Sequence, residues 1–159
     1  MKKLLAVAIA ATMLSGLYGL TLSLSGAYQD ITDESGGGAY FGAKADIIVG
    51  LLPILKARGF LAEVDFSTGT PMKFGTFTGS DLLITIPMAA PVQPYVVAGL
   101  WFVKNVSTTI RGGIGAEMGF GNMTGYLEYH LNFVSFSGGG SSTPMNIMGG
   151  LRFPLKLGL

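Results

Sequence analysis

Apolar and polar residues alternate with a period of two through most of the chain after its first twenty residues. The stretch 110–120 shows the pattern most clearly, with Ile110 and Ile114 on one face and Arg111 and Glu117 on the other. A period of two is that of a β-strand, whose successive side chains point to opposite faces of a sheet. The pattern therefore predicts an all-β fold.

Eight segments are predicted as strands by this alternation or by their composition. They are 20–29, 39–51, 59–67, 81–90, 95–102, 110–120, 126–133 and 146–159. Within 59–67, the alternation predicts Phe60, Ala62, Val64 and Phe66 on the apolar face and Glu63 and Asp65 on the other, whereas the facing of 81–90 and 95–102 is left open. The first segment also reads as the tail of a secretory signal, but without it only seven strands remain. Bacterial single-chain membrane barrels have even strand counts. Parity therefore favours 20–29 as the first strand, with Leu20, Leu22 and Leu24 facing outward.

The composition of the two strand faces distinguishes a membrane barrel from a soluble one. A soluble barrel needs a charged outer face, yet only 12% of the residues are charged, and 25 of the 159 residues are Gly. One face is continuously apolar, which suits hydrocarbon, whereas the other carries Gly, Ser, Thr and a few charges, which suits a narrow polar lumen. Strands that span a bilayer must close into a barrel, because an open edge leaves backbone groups unpaired in lipid. A soluble, lipocalin-like barrel remains the alternative.

The connections between the predicted strands divide into two sets, one for each end of the barrel. In outer-membrane barrels the extracellular loops are longer than the periplasmic turns. With a periplasmic C-terminus, the predicted outer loops are 30–38, 67–80, 104–107 and 137–143. The predicted inner turns are 52–59, 91–94 and 121–124, of which 52–59 is longer than such turns usually are.

The N-terminus has the layout of a signal peptide. Lys2 and Lys3 precede an apolar stretch over 4–14, which matches the charged and apolar regions of a secretory signal. We therefore predict a signal peptide over 1–19 and a barrel domain over 20–159, and a retained signal anchor is the alternative.

Four segments resemble the small eight-stranded outer-membrane β-barrel family, of the outer-membrane protein A and X type. They are "GFLAEVDFSTG" (59–69), "QPYVVAGLWF" (93–102), "GYLEYHLNF" (125–133) and "LRFPLKLGL" (151–159). The resemblance implies an eight-stranded antiparallel up-and-down transmembrane β-barrel in a bacterial outer membrane. It also implies a C-terminal signal for the outer-membrane assembly machinery, formed by Leu151, Phe153, Leu155, Leu157 and Leu159. The chain departs from the family in ending with Leu and in placing Pro154 in its last strand.

Ten ionisable residues are predicted to face the lumen and to form an ion-pair network. They are Lys44, Asp46, Glu63, Asp65, Arg111, Glu117, Glu128, His130, Arg152 and Lys156. The interior of an eight-stranded barrel is just wide enough for side chains to fill, and charges buried there must be paired. The network is thus predicted to plug the lumen, and a narrow porin-like pore for small solutes is the alternative.

Five aromatic residues are candidates for the interfacial girdles of a membrane barrel. They are Tyr95, Trp101, Phe102, Tyr126 and Tyr129. Girdle aromatics lie at the two membrane–water interfaces. The alternative is that these five residues are ordinary aromatic residues of the strands, without a special position at the interface.

Catalysis, metal binding and cofactor binding have little support in the sequence. Glu128, His130 and Asn132 share one face, but a lipid A-modifying hydrolase needs a Ser near its His, and Asn132 occupies the corresponding position. One His and no Cys provide no metal-ligand spacing. The acidic loop around Asp30 and Asp33 is expected to be solvated rather than to bind Ca²⁺. We predict no enzyme activity, no metal and no cofactor.

The predicted function is that of a non-enzymatic outer-membrane barrel that serves envelope structure, or surface interaction through four extracellular loops. Its expected partners are outer-membrane lipid and the assembly machinery. A net charge of +1 gives no electrostatic reason for nucleic-acid binding, and a monomer is expected. A pore and a lipid A-modifying enzyme are the alternatives.

Overall fold

A computed structural model of the protein describes residues 19–30, 39–66, 73–74, 78–103 and 107–155. Its eight long strands are β1 (Leu20–Asp30), β2 (Ala39–Leu52), β3 (Leu55–Asp65), β4 (Thr78–Thr85), β5 (Val92–Val103), β6 (Ser107–Phe120), β7 (Met123–Phe136) and β8 (Met145–Leu155). Two short strands, Lys73–Phe74 and Ser141–Ser142, pair with β3 and β7. Within the described ranges no helix is long and apolar enough to cross a membrane.

The eight long strands form a closed antiparallel barrel. Each strand pairs with the next along the chain, and β1 pairs with β8 from Leu20 opposite Leu155 to Asp30 opposite Met145. This closure confirms the predicted eight-stranded up-and-down barrel, with 20–29 as the strand that completes it. Pro154 lies within the closing ladder, opposite Thr21.

The barrel has a turn end, where the described chain starts and stops, and a loop end opposite. At the turn end two connections are tight, between Leu52 and Leu55 and between Phe120 and Met123. Gly121 adopts a φ of 59° in the second turn, a conformation that glycine adopts without steric cost.

Two predicted connections at the turn end were placed wrongly. Most of 52–59, predicted as a turn, belongs to β3, because the alternation continues through Lys56 and Arg58. The predicted strand 81–90 ends at Thr85, and the turn covers 86–91 instead. The Gln93 side-chain amide shapes this turn by donating hydrogen bonds to the carbonyls of Met88 (2.8 Å) and Ala90 (2.7 Å).

The strand faces separate apolar from polar side chains, as the alternation predicts. In β1, Ser23 and Ser25 are buried in the interior, whereas Leu24 points outward and is exposed. Large exposed apolar side chains cover the outer surface, among them Ile84, Leu100, Ile110, Ile114, Leu127, Phe133, Ile147 and Leu151. An outward apolar band around a polar interior is the arrangement of membrane barrels.

A β-bulge in β3 reverses the predicted facing of Phe60. The register with β2 shifts between Ala45, which pairs with Ala62, and Asp46, which pairs with Phe60. Leu61 is therefore the extra residue and points outward, while Phe60 turns to the interior. A bulge of this kind places two residues opposite one and changes the face of the residues beyond it. The prediction that Phe60 lies on the apolar outer face was wrong for this reason.

The β3–β4 ladder is short and places two charged residues side by side. It contains four residue pairs among the described residues and ends where Arg58 pairs with Asp81. The Ser80 hydroxyl donates a hydrogen bond to the Arg58 carbonyl at this point (3.1 Å). The Arg58 and Asp81 side chains both point inward and are buried.

An engineered disulfide tests the barrel closure, because the chain has no native Cys. Leu22 and Phe153 are paired across β1 and β8 and face outward, so their Cα atoms lie within the separation that a disulfide spans. We expect Leu22→Cys with Phe153→Cys to cross-link on mild oxidation, seen as a mobility change in a non-reducing gel. The control pair Leu22→Cys with Ile147→Cys, whose Ile147 is paired with Tyr28 instead, should not. Equal cross-linking of the two pairs would contradict the register.

Candidate functional site: the interior charge network

Arg58 is the centre of the barrel interior and binds two carboxylates. Its Nη1 donates to both oxygens of Glu128, at 2.7 and 2.8 Å, and its Nε and Nη2 donate to Asp81 Oδ2, at 3.0 and 2.6 Å. The residue is only 1% exposed. Charge-assisted contacts of this kind are stronger than neutral hydrogen bonds, and here they compensate for the removal of three charges from water.

The network extends from Asp81 towards the loop end. Asp81 accepts a hydrogen bond from Trp101 Nε1 at 2.5 Å and another from Arg111 Nη1 at 3.0 Å. Arg111 also donates through Nε to Asn132 Oδ1 at 2.8 Å. One buried carboxylate therefore holds two arginines and an indole in fixed positions.

On the opposite side the network extends from Glu128 towards the turn end. Glu128 Oε1 accepts hydrogen bonds from the Tyr95 hydroxyl (2.7 Å) and from Arg152 Nη2 (2.9 Å). Arg152 Nη1 binds Glu117, and Lys56 Nζ donates to the other oxygen of Glu117 at 2.6 Å. A continuous chain of ion pairs thus runs along the lumen.

The network contains more cations than anions. The four cations are Lys56, Arg58, Arg111 and Arg152, and the three anions are Asp81, Glu117 and Glu128. Arg111, Glu117, Glu128 and Arg152 are among the predicted lumen residues. Lys56, Arg58 and Asp81 were missed because 52–59 was read as a turn and the facing of 81–90 was left open. The interior position of the two cations depends on the bulge at Leu61, because a period of two continued from 61–67 without it would have placed Arg58 and Lys56 on the outer face.

The remaining predicted lumen residues have different surroundings. Lys44 Nζ lies 3.9 Å from Asp46 Oδ1, and both side chains are largely buried. Glu63 lines a cavity at the loop end. The side chain of Asp65 and the whole of Lys156 lie outside what the structure describes.

Three of the five predicted girdle aromatics lie inside the barrel instead. Tyr95, Trp101 and Tyr126 are buried, whereas Phe102 and Tyr129 point outward with exposures of 44% and 42%. The girdle prediction was wrong for the inner three because their polar groups and ring faces serve the charge network.

The interior aromatics contact a cation through their rings as well as through their polar groups. The Arg152 guanidinium carbon lies 4.0 Å from the Tyr126 ring centroid and 5.0 Å from that of Tyr95, within the range of cation–π attraction. Ser23 Oγ donates to the Tyr126 hydroxyl at 2.9 Å. The aromatic rings therefore fill space between charged groups and stabilise them.

Interior glycines leave room for these large side chains. A Cβ atom added at Gly115 would overlap the Tyr95 ring, and one added at Gly99 would overlap the Asp81 carboxylate. This close packing explains in part why the interior face of the strands is rich in Gly.

Two cavities occupy the ends of the lumen. The loop-end cavity has a volume of about 280 Å³ and is lined by Lys44, Arg111 and Asn132, among others. The turn-end cavity has a volume of about 310 Å³ and is lined by Lys56, Glu117 and Arg152, among others. Arg58 and Glu128 line neither cavity. Asp81 binds both Arg58 and Arg111, which lines the loop-end cavity. Glu128 binds Arg152, which lines the turn-end cavity.

Glu128, His130 and Asn132 lie together in the interior, and His130 Nδ1 is 3.9 Å from Glu128 Oε2, beyond hydrogen-bond distance. All three are buried. Both Glu128 oxygens bind Arg58, and neither ring nitrogen of His130 has a hydrogen-bond partner in the described part of the chain. Among the described residues, no group of three His, Cys, Asp or Glu could hold a metal ion.

A solved structure with the same fold is that of Neisserial surface protein A (NspA). The TM-score is 0.62 at 13% sequence identity, and the match covers 88% of this chain and 99% of that one. No family model matches the sequence, and no curated protein does. The likeness supports the resemblance to small outer-membrane barrels at the level of fold, while the outer-membrane protein A and X type stays a prediction.

Removal of the Arg58 charge should destabilise the barrel strongly. Arg58→Met leaves Asp81 and Glu128 buried with fewer partners, and breaking a buried ion pair costs about 3–5 kcal/mol. The measurement is the urea midpoint of folding in detergent, read from a heat-modifiable gel band. The control Lys56→Met removes a cation that is partly exposed at the turn end and should cost less. Equal losses in the two variants would contradict the central role of Arg58.

Two glycines on β6 provide a matched test of interior packing. Gly115→Val should displace the Tyr95 ring and destabilise the barrel by about 1–3 kcal/mol, as overpacking generally does. Gly112→Val is the control, because a Cβ added at Gly112 meets no atom within 4 Å. Measured by the same urea titration, a loss at Gly112 as large as that at Gly115 would argue against the described facing of β6.

Proposed function

We propose that the chain is a non-enzymatic β-barrel of a bacterial outer membrane, with a plugged lumen. Its proposed role is envelope structure, or surface interaction through the four connections at the loop end. The observation that carries this proposal is the combination of a continuous buried ion-pair network inside with exposed Leu, Ile and Phe side chains outside.

The outer surface supports a location in lipid. Large apolar side chains from several strands are exposed on it, including Ile114 at 64%. In water such a surface would be a strong aggregation liability, whereas in a bilayer it contacts hydrocarbon. The shared fold with NspA, which is named a surface protein, supports the same location.

The interior supports a structural role over transport. A solute that crosses the lumen would have to separate Arg58 from Glu128 and Asp81, whose contacts are 2.6–3.0 Å long. Separating such pairs in a low-dielectric interior leaves charges without partners, which is costly. A steady open pore would therefore need a different arrangement of these side chains.

Catalysis receives no support from the position of His130. Its side chain is buried in the interior, away from the lipid-facing surface where an enzyme acting on membrane lipid would meet its substrate. Substitution of His130 that changes lipid A acylation in an expressing strain would overturn the non-enzymatic assignment.

We further propose that residues 1–19 are a cleaved signal peptide and that the C-terminal strand is recognised by the assembly machinery. Residues 1–18 lie outside the described part of the chain, as do Leu157 and Leu159 of the proposed assembly signal. β1 begins at Leu20, so cleavage before Leu20 leaves all eight strands intact. Intact-mass measurement of the mature protein tests this, and a chain that begins at Tyr28 would contradict it.

Planar-bilayer recording tests the plugged lumen. The wild-type protein should give no steady single-channel steps, because Arg58 and Glu128 are buried in mutual contact. Steady steps from the wild-type protein would favour the narrow pore instead.

A charge on the outer surface tests the location in lipid. Ile114→Arg should destabilise insertion by about 2–4 kcal/mol if the residue lies near the middle of the bilayer. The measurement is the folded fraction in phospholipid vesicles, with Ile114→Leu as the control. Unchanged insertion of the arginine variant, or recovery of the wild-type protein from the aqueous fraction, would contradict a transmembrane barrel.

A further inference from the structure

Exposed apolar side chains continue from the outer wall of the barrel to the connections at the turn end. The connections 53–54, 86–91 and 121–122 contain no Asp, Glu, Lys, Arg or His. In water, turns with many exposed apolar groups and no charge would favour association. Six large apolar side chains within or beside these connections have exposures from 38% to 52% and form what we name the turn-end belt, which consists of Leu52, Ile54, Ile86, Met88, Phe120 and Met123.

Two strands place the edge of the hydrocarbon directly at a turn. On β7 the outward positions are apolar, aromatic or Gly from Met123 to Phe133, and the next outward position is Ser135. β6 shows the same order in reverse, and its apolar stretch ends at Phe120. Each stretch matches the roughly 9–11 residues that a tilted strand needs to cross the bilayer core. The turn between these two strands therefore lies at the lipid interface.

The connection 86–91 extends the outward alternation of β4. Leu82 and Ile84 point outward from the strand, and Ile86 and Met88 keep the same spacing beyond its end. The exposed apolar surface of the connection is thus continuous with the surface that is assigned to lipid. A partner that covers the wall at Ile84 also reaches the connection.

The backbone of this connection is partly satisfied without water. The Gln93 side-chain amide donates to the carbonyls of Met88 and Ala90, and two of the six residues are Pro, which has no N–H to satisfy. The Thr85 N–H, just before the connection, donates to the carbonyl of Ile54 in the neighbouring one at 2.8 Å. Backbone groups without partners are costly next to lipid, so a turn built in this way suits the edge of a bilayer.

The belt lies around the whole turn end rather than on one side of it. In the closed barrel the three connections join β2 to β3, β4 to β5 and β6 to β7. In the remaining sector β8 ends at Leu155, which is also exposed. A protein partner usually covers one patch with a polar rim, whereas a bilayer surrounds a barrel completely. Lipid is therefore the partner that fits this distribution.

We propose that the turn-end belt is inserted among the lipids of the leaflet on its side. Its apolar side chains contact acyl chains, and the backbone of the connections lies at the level of the headgroups. The partner of this end of the barrel is thus a lipid surface rather than a second copy of the chain. This inference rests on the proposed location in lipid, and goes beyond it by placing the turns themselves within the bilayer interface.

Spin labels at single introduced Cys residues test the depth of the belt, since the chain has no Cys of its own. Met88→Cys probes the belt, Ile114→Cys probes the outer wall, and Ser137→Cys probes the exposed loop end. Each labelled full-length chain is folded into phosphatidylcholine vesicles. Electron paramagnetic resonance then measures collisions of the label with oxygen, which concentrates in hydrocarbon, and with a nickel chelate, which stays in water. We expect the ratio of oxygen to nickel collisions at Met88 to exceed that at Ser137.

The label at Ile114 separates this inference from the proposed location in lipid. A high ratio at Ile114, together with a ratio at Met88 equal to that at Ser137, would overturn the inference and leave the transmembrane barrel standing. A ratio at Ile114 as low as that at Ser137 would overturn both. Few collisions of the Met88 label with either reagent would show that a second copy covers the belt, and would also overturn the inference.

A second label on the neighbouring connection makes the test independent of one variant. Ile54→Cys should give the same high ratio of oxygen to nickel collisions as Met88→Cys, because both side chains belong to the belt. The heat-modifiable gel band shows whether each labelled variant is folded, and if one of the two does not fold, the other decides. A ratio at Ile54 equal to that at Ser137 would overturn the inference for that connection.

Discussion

The contact of one arginine with two carboxylates determines how this barrel is filled. Arg58 binds Glu128 and Asp81 at the same time. Arg111 joins the network through Asp81, and Arg152 joins it through Glu128. Glu117 and Lys56 are connected to it through Arg152. A buried ion pair is seldom a large source of stability compared with apolar packing. It does fix geometry, because each donor has a defined direction and each acid must keep its partners. We infer that the network specifies one arrangement of the interior.

The network also connects strands on different sides of the barrel wall. Arg58 and Asp81 pair directly across β3 and β4, while Glu128 comes from β7 and Arg152 from β8. Side chains from strands that are not neighbours therefore meet in the lumen. Eight strands allow this because the interior of so small a barrel is narrow enough for side chains to bridge it. Interior glycines, such as Gly115 against the Tyr95 ring, make the bridging possible.

The sequence predicted the barrel, the strand count and the facing of most strands, because all three follow from a period of two and from the need to close the sheet. It failed where the local signal was interrupted. The segment 52–59, which contains Pro53, Lys56 and Arg58, was predicted as a turn, so Arg58 was left out of the predicted network. The bulge that turns Phe60 inward has no marker in the alternation, since it depends on the register with β2. Tyr95 and Trp101 were candidates for the membrane interface, because residue type alone does not distinguish a girdle ring from one that binds a buried charge.

The short ladder between β3 and β4 has a consequence for how the barrel opens. Among the described residues this ladder has four residue pairs, against eleven between β1 and β8. It is the shortest ladder between two long strands, so the fewest backbone hydrogen bonds must break when these two strands separate. Local opening in proteins starts where few such bonds must break together. In this barrel the Arg58–Asp81 pair lies at the end of that ladder, and separating the strands there would also separate the two charges. Within the described residues, the shortest ladder of the wall thus ends at an ion pair that links the same two strands from inside the barrel.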